Sequence, residues 1–182
     1  MVILASQSPR RRELMEKLNI PFTVRVADID ETPDLHLSVE ADVARLSRLK
    51  AEAIPREAGD IVIAADTVVV LDGQELGKPK NRENAKQMLS RLSGRSHQVM
   101  TGLTVLRGDQ CITHTEITDV VFRPLTEAEI DAYVASGDCD DKAGAYGIQS
   151  GAAVFVERIS GDYYNVVGLP VCRLSQMLKE FL

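Results

Sequence analysis

Cysteine is scarce in this 182-residue chain: Cys111, Cys139 and Cys172 lie far apart, and no Cys-x-x-Cys occurs. An odd, scattered set argues against a disulfide framework or a structural zinc site and fits reduced thiols in a cytosolic protein. Long apolar runs are missing too. The opening "VILA" is too short for a signal-peptide core or a membrane span. There is no basic excess, since 27 acidic residues against 21 Lys and Arg give a formal net charge of −6. General binding to nucleic acid or to a membrane surface needs a net basic face, so neither is expected. His36, His97 and His114 are isolated, without the His-x-His or His-Glu-x-x-His spacing of zinc hydrolysis. Gly-x-Gly-x-x-Gly, Walker and Gly-x-Ser-x-Gly patterns are also absent. Repeats, low-complexity segments and a clear linker are not found.

What is present reads as alternating helices and strands. "MVILAS" predicts a short buried strand, and "SPRRRELMEKLNI" a helix capped by Ser8 with Pro9 at its first position. "FTVRV" reads as a strand, and residues 38–53 as an amphipathic helix through Val39, Val43, Leu46 and Leu49. "DIVIAADTVVVLDG" predicts a strand buried on both faces. A helix is expected from Asn81 to Gly94. Strands are expected over 97–106 and 111–123, joined as a hairpin at "RGDQ". Thr126 begins a capping box for the next helix. "AAVFVERI" reads as a strand and 169–182 as a helix. The sum is one α/β domain with a mixed sheet.

Five stretches offer chemistry. In "ASQSPRRRELM", a strand runs into a helix whose start carries Ser6, Ser8 and the cations Arg10, Arg11 and Arg12. Helix dipoles favour acids there, so three arginines break a local rule and suggest an anion site; solvated arginines are the plain alternative. In "AADTVV", Asp66 interrupts an apolar strand, where an ionised carboxylate is costly unless paired or metal-bound. The "DIDE" loop gathers Asp28, Asp30 and Glu31, oxygen donors that suit a hard cation such as Mg²⁺. "LGKPKNRE" gathers Lys78, Lys80 and Arg82, and "DKAGAYGIQSG" offers Lys142 and Gln149 between glycines.

Taken together these stretches suggest a phosphate-bearing substrate with a divalent ion. The chain resembles the Maf family of nucleoside triphosphate pyrophosphatases over nearly its whole length. The matching stretches, in family order, are "LASQSPRR", "DIDE", "RLSRLKA", "AADTVV", "GKP", "SGRSHQVMTG", "TDVVFRPLT", "DKAGAYGIQ" and "VVGLP". One departure follows Gln149, where "SGAAVFV" replaces a glycine-rich run.

The resemblance implies a mixed-sheet α/β fold akin to inosine triphosphate pyrophosphatases, with two lobes around a cleft, spanning 1–182 as one domain. It implies hydrolysis of a nucleoside triphosphate to the monophosphate and pyrophosphate with Mg²⁺ or Mn²⁺, in a cytoplasmic homodimer. Asp66 corresponds to the family's proton acceptor. Ser8, Arg11, Glu31, Lys50 and Lys78 correspond to its polar active-site set, with Glu31 and Asp66 as metal ligands. Arg10, Thr67 and Gln149 correspond to base-selecting positions of the dTTP/UTP branch. The family is also associated with inhibition of septum formation, so a nucleotide-responsive regulator that binds without turnover is the rival reading.

Overall fold

A computed structural model describes all 182 residues. Its strands are β1 (Val2–Leu4), β2 (Phe22–Val24), β3 (Ile61–Leu71), β4 (Gln74–Leu76), β5 (Ser96–Arg107), β6 (Gln110–Phe122) and β7 (Val156–Ser160). Its helices are α1 (Pro9–Glu16), α2 (Val39–Glu52), α3 (Arg82–Leu92), α4 (Glu127–Ala135), α5 (Tyr163–Val167) and α6 (Val171–Leu178). The seven strands form one sheet in the order β2-β1-β3-β5-β6-β7, with β4 paired to β3. β1 pairs in parallel with β2 and β3, whereas β4 pairs antiparallel to β3 and β7 antiparallel to β6. The sheet is therefore mixed, as expected. No helix is long and apolar enough to cross a membrane.

The chain divides into two compact units. The first holds Met1–Thr67, Met100–Glu116 and Tyr164–Leu182; the second holds Val68–Val99 and Ile117–Tyr163.

In the first unit, β1 and β3 are apolar at nearly every position because both faces of the sheet are covered. Ile3, Val62, Ala64 and Leu106 pack with Ala51 at the end of α2 and Ile54 just beyond it. Helix α2 follows from an Ser38 cap, whose hydroxyl accepts from Ala41 N, and acids in its first turn. It lies so close to β5 that a Cβ on Gly102 would stand 2.2 Å from the Val43 carbonyl oxygen. That approach fixes the helix that carries Lys50.

The second unit has an aromatic core. Phe122 meets His97, Tyr146 and Phe155 in edge-to-face contacts, and Phe155 meets Tyr133 in the same way. α4 starts with the expected capping box between Thr126 and Glu129. α3 is capped by Asn81 and ends at Leu92.

The differences from the sequence reading are local. Residues 151–155 form a 3₁₀ turn and only 156–160 are strand, so "AAVFVERI" is half helical. The run of small residues, Gly-Ala-Ala, lacks the β-branched content that keeps a chain extended. β2 stops at Val24, and the last helix spans 171–178 rather than 169–182. α5, five residues long, gives too short a period to be seen.

Candidate active site

The site in the first unit begins where β1 ends. Ser8 takes an extended conformation (φ −65°, ψ 119°) and caps α1, and Pro9 follows at a position that needs no N–H. The Ser8 amide donates to Ser6 Oγ at 3.2 Å, which bends the chain into the helix. No acid occupies the first turn of α1, so the helix start stays positive.

The three arginines then separate, as helical geometry requires of neighbours about 100° apart. Arg11 turns inward. Its Nε donates to the Gly168 carbonyl at 2.8 Å, Nη2 to Thr67 Oγ1 at 3.0 Å and Nη1 to Ser6 Oγ at 3.4 Å. Burial pulls the Arg11 guanidinium below its ordinary value, and the nearby Asp66 opposes that shift. A guanidinium has five N–H donors, so protein acceptors do not exhaust it. Arg12 faces solvent and approaches Glu16 at 3.8 Å, outside the site. Arg10 is half-buried beside Arg11, whose ionisation it disfavours.

Asp66 sits in the middle of β3 and is 8% exposed. A buried carboxylate needs a partner, and Lys50 in the last turn of α2 supplies it. Lys50 Nζ donates to Asp66 Oδ1 at 2.6 Å and to Glu31 Oε2 at 2.9 Å. One ammonium thus bridges a buried carboxylate and an exposed one.

The acidic loop delivers Glu31 in a definite way. Asp30 Oδ1 accepts from both the amide and the hydroxyl of Thr32, at 2.9 and 2.6 Å. Arg45 Nη2 donates to the Thr32 carbonyl at 3.0 Å while Nε binds Asp42 at 2.7 Å. Asp42 in turn accepts from the Asp34 amide at 3.2 Å. The loop is thereby tied to α2, and Glu31 is the member that reaches Lys50. Asp28 is exposed, and the Asp30 oxygen that the turn engages is not spare for a cation. Glu31 is the loop carboxylate that joins the Lys50–Asp66 pair.

Thr67 follows Asp66 and joins a chain of hydroxyls. Its Oγ1 lies 2.9 Å from Thr101 Oγ1, and Thr101 donates to the Asn165 carbonyl at 3.2 Å. Thr101, Asn165 and Gly168 are therefore parts of the site that the sequence reading did not select, whereas Ser6 was among the hydroxyls it named. The signal for Thr101 was available, because a fully buried threonine within β5 needs a polar partner.

Ser8, Arg10, Arg11, Glu31, Lys50, Asp66 and Thr67 all belong to the first unit. Lys78 and Gln149 belong to the second. Lys78 is exposed on the segment after β4, and Gln149 is exposed in the turn that precedes the 3₁₀ segment. No group of three or more His, Cys, Asp or Glu side chains gathers to hold a metal.

Comparison with known proteins identifies the family and the fold. The chain is 53% identical over 182 residues to a dTTP/UTP pyrophosphatase of Symbiobacterium thermophilum, covering 99% of this chain and 93% of that one. It is 48% identical over 181 residues to a dTTP/UTP pyrophosphatase of Bacillus anthracis, covering 99% and 95%. Among solved structures, a HAM1 protein from Coxiella burnetii aligns over 98% of both chains with a TM-score of 0.55 and 15% identity. The Ham1 protein of Staphylococcus aureus aligns with the same figures. At that identity the likeness concerns the fold, and it bears out the mixed-sheet α/β architecture. The family model for Maf-like protein matches residues 1–181, and with half the sequence shared with curated members, the chain belongs to the Maf family.

Proposed function

We propose that this chain is a nucleoside triphosphate pyrophosphatase that cleaves dTTP and UTP to the nucleoside monophosphate and pyrophosphate. The observation that carries the reading is the buried Asp66 carboxylate, bridged through Lys50 to Glu31 beside the cationic start of α1. The names of its relatives support the same substrates.

In this reading Asp66 accepts a proton from water as the water attacks the α-phosphorus in line, and pyrophosphate leaves. Transfers of this kind ask for positioning and charge stabilisation more than for covalent chemistry. Lys50 neutralises Asp66 by ion pairing. The uncommitted donors of Arg11, the Ser8 hydroxyl and Lys78 bind the phosphate chain, with a guanidinium fork matched to phosphate oxygens. Arg10, Thr67 and Gln149 select the base.

The residues fit a divalent ion. Asp66 and Glu31 already converge on one cation, the ammonium of Lys50, and both offer hard oxygen donors. Mg²⁺ is ordinarily held by one or two carboxylates together with substrate phosphates, so two protein ligands suffice. Bound to Glu31 and Asp66, Mg²⁺ or Mn²⁺ supplies charge stabilisation for the departing pyrophosphate.

The test is pyrophosphate release across the common ribo- and deoxyribonucleoside triphosphates, with each metal, and with the nucleotide product identified. Release led by dTTP and UTP, with monophosphate as the partner product, is expected. Equal turnover of a purine triphosphate would remove the specificity. Tight binding without any release would replace the enzyme by a nucleotide-responsive regulator, such as one of septum formation.

A further inference from the structure

The second unit contains a polar network that the chemistry above does not use. Asp138 lies just after α4, and three side chains converge on its carboxylate. Tyr133 OH donates to Oδ2 at 2.7 Å, and Ser150 Oγ donates to the same oxygen. Lys142 Nζ donates to Oδ1 at 3.2 Å and to the Asp138 carbonyl at 2.6 Å. Lys142 and Ser150 are the two ends of the loop that contains Gln149. Asp138 therefore ties both ends of that loop to one point just beyond α4.

The interior of the loop is pinned as well. The Gly147 amide donates to Tyr133 OH at 3.2 Å, so the same phenol holds the loop from a third place. Tyr146 OH lies 2.6 Å from His97 Nε2 in the aromatic core. The Gly144 amide donates to the Gly77 carbonyl at 3.1 Å, one residue before Lys78. Gly144 has φ +69°, and a Cβ there would meet three side-chain atoms of Val69 at 2.9 Å. Ala145 adopts φ 63°, a left-handed conformation that a non-glycine residue holds only under constraint. Burial pushes the Asp138 carboxyl up, but the hydrogen bonds from Ser150, Tyr133 and Lys142 outweigh it and hold it below its usual range.

Positions 142, 144, 146, 147 and 150 are thus fastened, while Gln149 points out exposed. A loop clamped this thoroughly around one exposed carboxamide is preorganised to present that group. We propose that Asp138 is a positioning residue for base selection, fixing through Lys142, Tyr133 and Ser150 the loop that presents Gln149. The inference rests on the assignment of Gln149 to the base.

The experiment compares kcat and KM for dTTP and ATP in the wild type, Asp138→Ala, Gln149→Ala and the double variant. Gln149→Ala should cut the dTTP-to-ATP ratio of kcat/KM by about tenfold or more, because a lost polar edge relaxes discrimination. Asp138→Ala should lower the same ratio by roughly fivefold through the KM for dTTP, and add less than about twofold in the Gln149→Ala background, as coupled residues do. If Asp138→Ala lowers kcat/KM for both triphosphates by one factor and leaves the ratio unchanged, the positioning role is overturned and Asp138 is merely structural. If Gln149→Ala itself leaves the ratio unchanged, the base assignment fails and the inference falls with it. Tyr133→Phe removes only the phenol that joins Asp138 to the Gly147 amide. It should shift the ratio in the same direction, and it decides the matter where Asp138→Ala does not fold: an unchanged ratio overturns the role.

Discussion

The two units of this protein handle polarity in opposite ways. In the first, the groups that matter are ionised and matched: Lys50 between Asp66 and Glu31, and Arg11 against a carbonyl and two hydroxyls. In the second, burial keeps the inner groups neutral. It lowers His97 from 6.5 to about 4 and pushes Tyr146 up. The exposed Lys78 and Gln149 then sit on segments whose backbone is fastened. On the proposed function this contrast has a use: the paired charges of the first unit serve the chemistry at phosphorus, and the clamped loop of the second presents Gln149.

The largest effect should come from breaking the charged side of this contrast. Asp66→Asn is nearly isosteric and leaves Lys50 a hydrogen-bond acceptor. Turnover should fall by about 10² to 10⁴, the usual range for a general base, in a protein that still melts cooperatively. A folded variant with near-native turnover would end the assignment.

The neutral side is tested by pH. His97 is buried neutral, with its folded pKa depressed to about 4. Between pH 4 and 6.5 the unfolded chain binds a proton that the folded chain refuses, so stability is full above that window and falls as pH drops through it. The loss from this one group is about 3 kcal/mol at the low end. Chemical denaturation at several pH values should show it, and His97→Gln should flatten that part of the slope. An identical slope in the variant would place the acid sensitivity elsewhere.

Smaller effects separate the two kinds of cation. Arg11→Ala should weaken triphosphate binding whichever base is attached and also lower stability by about 1–3 kcal/mol, because partly buried acceptors lose their donor. Lys78→Ala should weaken binding alone, by roughly tenfold, and leave the melting temperature in place, since exposed substitutions rarely change stability. The Lys78 contribution should shrink in high salt through screening. Titration calorimetry with a non-hydrolysable triphosphate, beside thermal melts, reads both. Loss of stability in Lys78→Ala, or none in Arg11→Ala, would blur the contrast.

Much of this was legible in the sequence, and unevenly so. β3 announced itself by its apolar run, and Asp66 by interrupting that run. The caps at Ser8 and Thr126 stood in the sequence because N-cap chemistry is local. Lys50 could be placed on α2 but not paired with Asp66 from spacing, since that ion pair depends on where Gly102 lets the helix settle. The arginine triplet suggested an anion site, and helix geometry already set Arg12 outside it. The fold distributes the three, turning Arg11 inward, leaving Arg10 half-buried and sending Arg12 to solvent. Asp30 stood out only as one acid of a cluster, and its turn with Thr32 shows only in the fold. The clamp around Gln149 left no pattern at all, because Tyr133, Asp138, Lys142 and Ser150 meet only after α4 and the loop have packed.

The central claim is that Asp66 activates water for attack at the α-phosphorus. Hydrolysis of dTTP in ¹⁸O-labelled water, followed by mass analysis of both products, tests it most directly. The label should appear in the nucleoside monophosphate and not in pyrophosphate, and Asp66→Asn should slow its incorporation by about the same factor as turnover. Label in pyrophosphate would mean attack at the β-phosphorus and would contradict the account.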